Sequence, residues 1–453
     1  MLTALQNVLG VNEVLVGVAI NDKHLQDWSG KRGEMPMALL LPRSTDEISK
    51  ALAVYHTHQW PVVPQGGLTG LAGGAVVISL ERMSDVEEVD SASATITVLA
   101  GTPLQVAQEA AHEAGFFLAL DLGARGSCQV GGNIATNAGG NRVIRYGMAR
   151  DLVLGLEVVL ADVTVLSMMN KMFKNNAGSD LKGLFIGTEG TVGIITRAVL
   201  RLHGGVTGAH TALIALSALD EVVKLMRYAQ KRLSGLVSAY EVMWADYYRS
   251  ATTTVKGIRV PLAVDYPVYV LMDMQSAEPE ENTERFNSVL EHAMEEGWVL
   301  DAVIAQSHSD AEDFWALRDS IAEMLNSYAP TINFDVSFPI SKIGECVERL
   351  RRVMVDEFPD IHAMYFGHVG DGNLHIVVGP LPDDNQQTER ALEDAFYDIT
   401  RDLGGSVSAE HGIGTHKKPY LAHSRNRAEI NLIKRMKQAL DPQGILNPGK
   451  IID

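Results

Sequence analysis

Two strand–helix–strand units follow one another between residues 211 and 306, and this doubled pattern constrains the fold more than any other feature of the chain. Its predicted elements are a strand over 211–216, a helix over 219–233, strands over 236–243 and 268–274, a helix over 279–296 and a strand over 299–306. A doubled unit of this kind usually gives one antiparallel sheet with its helices on one face. Two further helices are predicted over 310–326 and 341–357.

The first 205 residues alternate shorter strands with helices. Ser44 and Glu47 have the spacing of a capping box and predict a helix that runs to about Gln59. A second helix is predicted between an N-cap at Thr102 and a stop at Gly115. Further strands are predicted over 61–64, 116–120, 152–160, 184–187 and 192–202. The predicted elements become longer after about residue 205, and this change predicts a domain boundary there.

Composition excludes several classes of protein. The chain has 453 residues and a formal net charge of −18, which argues against binding to the phosphates of nucleic acid. No apolar run reaches the roughly 18 residues of a membrane-spanning helix, and the N-terminus lacks the layout of a secretory signal. Cys128 and Cys346 are far apart and form no CxxC pair. The sequence therefore predicts a cytoplasmic protein without a transmembrane segment or a disulfide framework.

Two glycine-rich loops predict a site for a phosphate-containing cofactor. The first spans residues 64–74 directly after a predicted strand, and the second spans residues 131–140. Glycine lets the backbone approach a ligand closely and point successive N–H groups at a phosphate, and Thr and Asn add neutral donors. Neither loop has the Lys-Ser/Thr of a Walker loop or the GxGxxG of a dinucleotide fold. Plain turns are the alternative interpretation.

A histidine pair flanks a third glycine-rich turn. His368 and His375 are separated by Val-Gly-Asp-Gly-Asn-Leu, and Glu410 follows 35 residues later. Two imidazoles and one carboxylate make a three-ligand metal site with an open position, a set that suits zinc and tolerates manganese or iron. His411 adjoins the third ligand and is a candidate base, or else a hydrogen-bonded neighbour of the ligand. The alternative for both turn histidines is a structural role.

These motifs occur in one order along nearly the whole chain, and that order resembles a known family. The ordered strings are residues 64–74, 131–140, 145–147, 153–158, 174–178, 184–193, 367–375, 410–412 and 446–450. The chain resembles the FAD-linked D-2-hydroxyacid dehydrogenases, which include D-lactate and D-2-hydroxyglutarate dehydrogenases and the D subunit of glycolate oxidase. That family lies within the vanillyl-alcohol-oxidase-like flavoproteins.

The resemblance implies an α+β fold and non-covalent FAD. It implies a two-lobed FAD-binding domain over 1–205, an antiparallel-sheet substrate (cap) domain over 206–405, and a C-terminal segment over 406–453 that returns to the FAD domain. Relatives with covalent flavin often carry a histidine in the first loop, where this chain has Leu68 and no histidine. The residues implied at FAD are Gly66, Gly67, Thr69, Gly70, Gly132, Asn133, Thr136, Asn137, Gly139, Gly140, Glu189, Gly190, Ile194 and Asn447.

The resemblance also implies the chemistry. A D-2-hydroxy acid is oxidised to the 2-oxo acid by hydride transfer to FAD, while a divalent metal on His368, His375 and Glu410 orients the substrate. His411 accepts the hydroxyl proton, and Arg318 grips the substrate carboxylate. Without the resemblance, we would predict that Arg318 forms a salt bridge on a helix surface, since it lies in the most acidic stretch of the chain.

Two departures from the family pattern bear on the substrate. Relatives specific for D-2-hydroxyglutarate tend to have a lysine where this chain has Asn333, and an asparagine where it has Val377. The loss of a cation and an amide weakens the case for a second, distal carboxylate. D-lactate, or a more apolar 2-hydroxy acid, is favoured correspondingly.

Two other functions compete with the dehydrogenase. A metal-dependent hydrolase would explain the histidines and Glu410 but would leave both glycine loops without a role. An FAD-binding protein without dehydrogenase activity would be yellow, but no 2-hydroxy acid would bleach it. For a dehydrogenase, the electron acceptor is an electron-transfer flavoprotein or a quinone, and a homodimer is compatible with the sequence.

Overall fold

The chain forms two compact units. The computed structural model describes residues 2–25, 34–67, 76–206, 208–382 and 386–453. The first unit comprises Met1–Gly140, Gly147–Gly205 and Glu410–Asp453, and the second comprises Asn141–Tyr146 and Val206–Ala409. Both units mix helices with antiparallel strands, so the predicted α+β class is confirmed.

The strands described for the first unit form three small sheets. The five-stranded sheet is antiparallel throughout and has the order Val86–Asp90, Thr95–Leu99, Ile194–Arg201, Val153–Val159, Val165–Met168. The four-stranded sheet has the order Val14–Leu15, Leu39–Leu40, Val76–Ser79, Val62–Gln65. Its first pair is antiparallel and the other two pairs are parallel. Phe116–Phe117 pairs with His203–Gly204.

The helices described for the first unit are mostly short. The α-helices are Leu2–Leu9, Thr45–His58, Leu104–Glu113, Val130–Ala135, Ala149–Leu152, Leu421–Ser424 and Arg427–Leu440. The 3-10 helices are Val11–Glu13, Gly17–Ala19, Asp22–Leu25, Leu181–Leu184 and Lys418–Tyr420. The strand predicted over 184–187 is therefore wrong, because a 3-10 helix ends at Leu184 and residues 185–187 form a turn.

Helix starts in the first unit follow local hydrogen bonds. The Ser44 hydroxyl accepts a bond from the Glu47 N–H at 3.2 Å, so the first predicted cap is correct. The cap predicted at Thr102 is wrong. Its hydroxyl donates to the Asp85 carbonyl at 2.9 Å and accepts from the Asp85 N–H at 3.0 Å, so the helix begins only after Pro103. A tertiary contact thus replaces the local cap.

The C-terminal segment returns to the first unit, as the predicted fold requires. The Val62 N–H donates to the Ile445 carbonyl at 2.8 Å, and the Asn447 N–H donates to the Val62 carbonyl at 2.9 Å. The Lys437 ammonium donates to the Thr191 carbonyl at 2.7 Å. Residues 445–447 therefore run alongside the strand that precedes the first glycine loop.

One seven-stranded sheet organises the second unit, and every described pair in it is antiparallel. Its order is Val299–Ile304, Gly208–Leu216, Val268–Ser276, Val237–Trp244, His362–Gly367, Asn373–Gly379, Ile332–Ser337. Its helices are Val143–Tyr146, Leu219–Arg232, Ala245–Thr254, Pro279–Glu295, His308–Asp319, Ile321–Tyr328, Ile340–Glu357 and Gln386–Asp402, with a 3-10 turn at Val369–Asp371. The predicted antiparallel sheet is confirmed.

An aromatic core lies between one part of this sheet and the helices that follow. Tyr248 and Tyr269 stack with ring centroids 3.7 Å apart, and Phe314 and Phe366 belong to the same buried cluster. Burying an aromatic side chain of this size stabilises a fold by roughly 1.5–3 kcal/mol. The single helix predicted over 310–326 is interrupted at Ser320, which ends one helix and starts the next.

No helix among the described ranges has the length and apolar character needed to cross a bilayer. The longest, Ile340–Glu357, has 18 residues, of which eight are charged.

Candidate active-site residues

His368 and His375 lie on one β-hairpin of the second unit. Strand His362–Gly367 pairs with strand Asn373–Gly379 across the 3-10 turn Val369–Asp371. Gly372 has φ +90°, and a side chain there would overlap the Phe338 carbonyl oxygen, so the turn requires glycine. The two imidazole rings lie 5.3 Å apart between centroids and are nearly perpendicular. The hairpin thus brings the two predicted ligands together.

A buried carboxylate that the motifs did not indicate contacts the first histidine. Glu241 is fully buried, and its Oε1 lies 2.7 Å from His368 Nδ1. If Nδ1 carries the proton and donates it to this carboxylate, Nε2 keeps the lone pair that a metal needs. The sequence held one signal, since Glu241 is the only charged residue in the strand Val237–Trp244, which is buried along its whole length.

Arg318 contacts the other oxygen of the same carboxylate. Its Nε–H donates to Glu241 Oε2 at 2.8 Å, and the Arg318 side chain is only 6% exposed. The interpretation as a salt bridge on a helix surface is therefore wrong, because the pair is buried. Burial alone would raise the pKa of Glu241, but the Arg318 guanidinium and, when its ring is protonated, His368 outweigh it and lower that pKa to about 2.

A second buried carboxylate lies beside the other histidine. Asp335 is fully buried, and its Oδ1 lies 3.7 Å from His375 Nδ1, which is too long for a hydrogen bond. Asp335 accepts bonds from Asn373 Nδ2 at 2.8 Å and from the Ala409 N–H at 3.2 Å. Each turn histidine therefore has a buried acid next to its Nδ1. Asp335 also lacked a sequence motif.

The segment Glu410–Gly414 belongs to the first unit and is held there by two bonds from backbone N–H groups to Glu189. Glu189 accepts from the Ile413 N–H at 2.6 Å and from the Gly414 N–H at 2.9 Å. Burial raises the pKa of Glu189, although these bonds act in the opposite direction. Glu410 Oε1 accepts from the Gly140 N–H at 2.5 Å, and His411 is exposed. Glu189, which the resemblance implies at FAD, thus also positions the turn next to His411.

The two glycine loops meet within the first unit. A side chain on Gly66 would come within 3.4 Å of the Gly132 Cα atom, and one on Gly67 would lie 2.9 Å from the backbone of Ser127 and Cys128. The approach at Gly67 is too tight for a Cβ atom, whereas the distance at Gly66 is close to ordinary van der Waals contact. Of the predicted FAD residues, Thr69 and Gly70 lie outside the described residues.

Several of the predicted FAD residues make contacts within the protein. The Thr136 hydroxyl donates to the Gly132 carbonyl at 3.2 Å. Asn137 Oδ1 accepts from the Arg150 N–H at 3.0 Å. Ile194 is 1% exposed and lies in the five-stranded sheet. The remaining predicted residues Asn133, Gly139 and Gly140 are buried, and Gly190 has φ +68° beside Pro64.

Three features of the first unit fit a cofactor rich in hydroxyl and N–H groups. The buried Asn447 Oδ1 and Gln129 Oε1 have no hydrogen-bond partner among the described residues, although Asn447 Nδ2 donates to the Glu189 carbonyl at 2.6 Å. A side chain on Gly132 would meet nothing closer than 3.9 Å, so packing within the described chain does not require glycine there. Orphaned acceptors beside bare backbone are what a bound flavin nucleotide would use.

Replacement of Gly140 by alanine is expected to destabilise the first unit by about 3 kcal/mol, because backbone strain and overpacking act together. Gly140 has φ +86°, and a side chain there would overlap the Asp121 carbonyl oxygen. Gly178→Ala is the matched control, since Gly178 has φ +92° and open space around it, and it should lose only about 1 kcal/mol. Urea unfolding of the flavin-free proteins measures both, and equal losses would contradict the packing argument.

Two family models match this chain, and their matches together cover most of it. Residues 36–168 match "FAD binding domain". Residues 207–451 match "FAD linked oxidases, C-terminal domain".

Individual relatives and solved structures agree with these matches. The chain is 38% identical to a D-2-hydroxyglutarate dehydrogenase of Xanthomonas citri pv. viticola, over 94% of this chain and 92% of the relative. It is 34% identical to a putative mitochondrial D-lactate dehydrogenase of Schizosaccharomyces pombe, over 94% and 84%. The fold is similar to that of p-cresol methylhydroxylase, with a TM-score of 0.80 and 16% identity over 100% of this chain and 96% of that one.

Proposed function

Since the chain belongs to the FAD-linked D-2-hydroxyacid dehydrogenase family, we propose that it oxidises a D-2-hydroxy acid to the 2-oxo acid with FAD and a divalent metal. The observation that carries the metal part of the proposal is the histidine hairpin with Glu241 on His368 Nδ1. With the proton on Nδ1, that contact leaves the lone pair of a neutral imidazole on Nε2, as a metal ligand requires.

We propose that His368, His375 and Glu410 hold the metal, with zinc as the first candidate and manganese or iron as alternatives. Two neutral nitrogens and one carboxylate suit these ions and leave a net positive charge, which attracts an anionic substrate. When bound, the metal supplies a Lewis acid that lowers the pKa of the substrate hydroxyl. Asp335, next to His375, is placed to restrain the second ligand.

The proposed roles of His411 and Arg318 follow from their chemistry. His411 is exposed and therefore accessible to a substrate hydroxyl, whose proton it accepts as a general base. Arg318 binds the substrate carboxylate through the guanidinium edge that Glu241 does not occupy, because Glu241 takes the Nε–H. FAD supplies the acceptor for the hydride that leaves the substrate carbon.

FAD is proposed to bind without a covalent link in the first unit. Gly66, Gly67 and Gly132 provide bare backbone, and Asn447 Oδ1 provides a buried acceptor. Glu189 and Gly190 are proposed at the same site, where Asn447 Nδ2 binds the Glu189 carbonyl. The contributions of Thr69, Gly70, Asn133, Thr136, Asn137, Gly139, Gly140 and Ile194 stay predictions.

D-2-hydroxyglutarate and D-lactate are the two candidate substrates. Relatives named D-2-hydroxyglutarate dehydrogenase at up to 38% identity favour the former. Two side chains favour the latter. Val377 is 3% exposed and packs in the aromatic core of the second unit, while Asn333, its cross-strand partner, is exposed and uncharged. Neither side chain offers a cation for a second carboxylate.

The purified protein is expected to be yellow, and D-2-hydroxy acids should bleach its flavin under anaerobic conditions while L-2-hydroxy acids should not. Stereospecificity is expected because the metal and Arg318 fix the hydroxyl and the carboxylate of the substrate, so only one enantiomer directs its hydrogen at the flavin. The measurement is absorbance near 450 nm during titration with D- and L-lactate and D- and L-2-hydroxyglutarate.

Removal of the metal with a chelator tests the metal part of the proposal separately from the flavin part. Bleaching by a D-acid that stops after metal removal and returns with added zinc supports the full proposal. A colourless protein that hydrolyses esters would favour the metal-dependent hydrolase, and a yellow protein that no acid bleaches would favour an FAD-binding protein without this activity. The electron acceptor, a homodimer and a cytoplasmic location stay predictions.

A further inference from the structure

We propose that Glu241 is a positioning residue that holds a metal-ligand imidazole and the substrate-binding guanidinium in one rigid arrangement. The proposal rests on the proposed function, because it assumes that His368 binds metal and that Arg318 binds the substrate carboxylate. It adds a residue to that site that lies outside the sequence motifs and contacts neither the substrate nor the metal.

Each oxygen of Glu241 has a different partner. Oε1 lies 2.7 Å from His368 Nδ1, and Oε2 accepts from Arg318 Nε at 2.8 Å. The side chains of Glu241, Arg318 and His368 are 1%, 6% and 8% exposed. One carboxylate therefore sets the distance between two groups that are 50 residues apart in sequence.

The backbone around Glu241 gives this carboxylate little freedom. Its strand, Val237–Trp244, lies inside the seven-stranded sheet between Val268–Ser276 and His362–Gly367. Glu241 is paired with Leu271 in the register, and its immediate neighbours Tyr240 and Val242 are buried. A residue in the middle of a sheet moves less than one in a loop, so the geometry at His368 and Arg318 is set before any ligand arrives.

A buried ion pair stabilises a fold poorly, so stability alone does not explain why a glutamate occupies position 241. Desolvation of two charges offsets most of their attraction, so apolar residues of similar volume usually serve stability as well. Apolar residues cannot accept a hydrogen bond from Nδ1–H and thereby fix the imidazole tautomer, nor can they fix the plane of a guanidinium through its Nε–H. Both tasks are useful only if the opposite edges of the two side chains bind something.

Glutamine at this position cannot satisfy both partners. Its amide oxygen accepts one hydrogen bond in place of one carboxylate oxygen, but its NH₂ group is a donor and meets a second N–H. If the NH₂ group faces His368, the imidazole must accept at Nδ1 and carry its proton on Nε2, the nitrogen needed for the metal. If it faces Arg318 instead, the guanidinium loses its fixed orientation. Glu241→Gln thus changes the site with almost no change in volume.

The test is zinc affinity of the flavin-loaded protein without substrate, measured by competition with a coloured chelator. Glu241→Gln is expected to weaken zinc binding by about 10- to 100-fold while the flavin spectrum stays near that of the unmodified protein. Its unfolding temperature should fall, because Arg318 stays buried without its anionic partner. Asp246→Asn is the matched control. Asp246 also pairs with an arginine, Arg351 at 2.7 Å, and accepts from the Tyr365 N–H, but contacts neither turn histidine. Its zinc affinity should be unchanged.

The outcomes separate this proposal from the function on which it rests. Loss of affinity in Glu241→Gln with none in Asp246→Asn supports the positioning role. Zinc binding within twofold of the original in a folded Glu241→Gln protein overturns it, provided that His375→Ala loses zinc. If His375→Ala keeps its zinc, the proposed metal site fails instead. Should Glu241→Gln not fold, Glu241→Asp retains the buried charge but cannot span both partners, and it is judged by the same criterion.

Discussion

Replacement of His375 by alanine is expected to abolish reduction of the flavin by the D-hydroxy acid while leaving the protein yellow. The imidazole lies on the hairpin strand Asn373–Gly379, 5.3 Å from the ring of His368, and is proposed to be one of three metal ligands. Without it, the metal is lost or misplaced, and Lewis-acid stabilisation worth several kcal/mol disappears. The rate of anaerobic flavin bleaching should fall by at least about 10³-fold.

The reason to expect an intact flavin is that the effect is local to the second unit. His375 is one of the strand residues that pair across the hairpin, while the glycine loops proposed to hold FAD belong to the first unit. His362→Ala is the matched control, because His362 is exposed at the start of the same hairpin and should retain full activity. A His375→Ala enzyme that reduced its flavin at the original rate would refute the metal site.

The sheet of the second unit was predictable because alternating apolar strands and amphipathic helices leave a strong periodic signal. Periodicity does not predict the backbone conformation at positions where tertiary contacts determine it. Thr102 has the side chain of a helix cap, but its hydroxyl bonds Asp85, 17 residues earlier in the chain. The break at Ser320 also leaves no trace in a periodic pattern, since the residues on both sides are helical and the Ser320 hydroxyl donates to the Leu317 carbonyl within the same turn.

In the candidate site, too, local features could be predicted from the sequence and long-range contacts could not. His368 and His375 could be identified from the sequence because a short glycine-rich turn forces neighbouring strands into a hairpin, a local event. Glu241 could not, because its partners Arg318 and His368 are 77 and 127 residues away. A lone acid in a buried strand predicts that some partner exists, but only the sheet order shows which one. The role of Arg318 in binding substrate stays a prediction from the family, whereas the surface salt bridge suggested by its acidic neighbourhood is wrong, because the pair with Glu241 is buried.

Replacement of Arg318 by methionine is expected to affect substrate binding and stability together, and a second substitution separates the two. Alone, Arg318→Met leaves Glu241 buried without its cationic partner, which should lower the free energy of unfolding by about 3–5 kcal/mol. It also removes the proposed partner of the substrate carboxylate, so KM for the D-hydroxy acid should rise by roughly 100-fold or more, as expected for loss of 2–5 kcal/mol from a desolvated charge pair.

In the double variant Arg318→Met with Glu241→Gln, no unpaired charge stays buried, so much of the lost stability should return. KM should stay high, because a neutral pair cannot bind a carboxylate. Urea unfolding reports the first quantity, and the dependence of the turnover rate on the concentration of the D-hydroxy acid reports the second. If stability and KM recovered together, Arg318 would matter only for the fold. If KM stayed at its original value in the single variant, the substrate carboxylate would have another partner, and the arginine would serve the core alone.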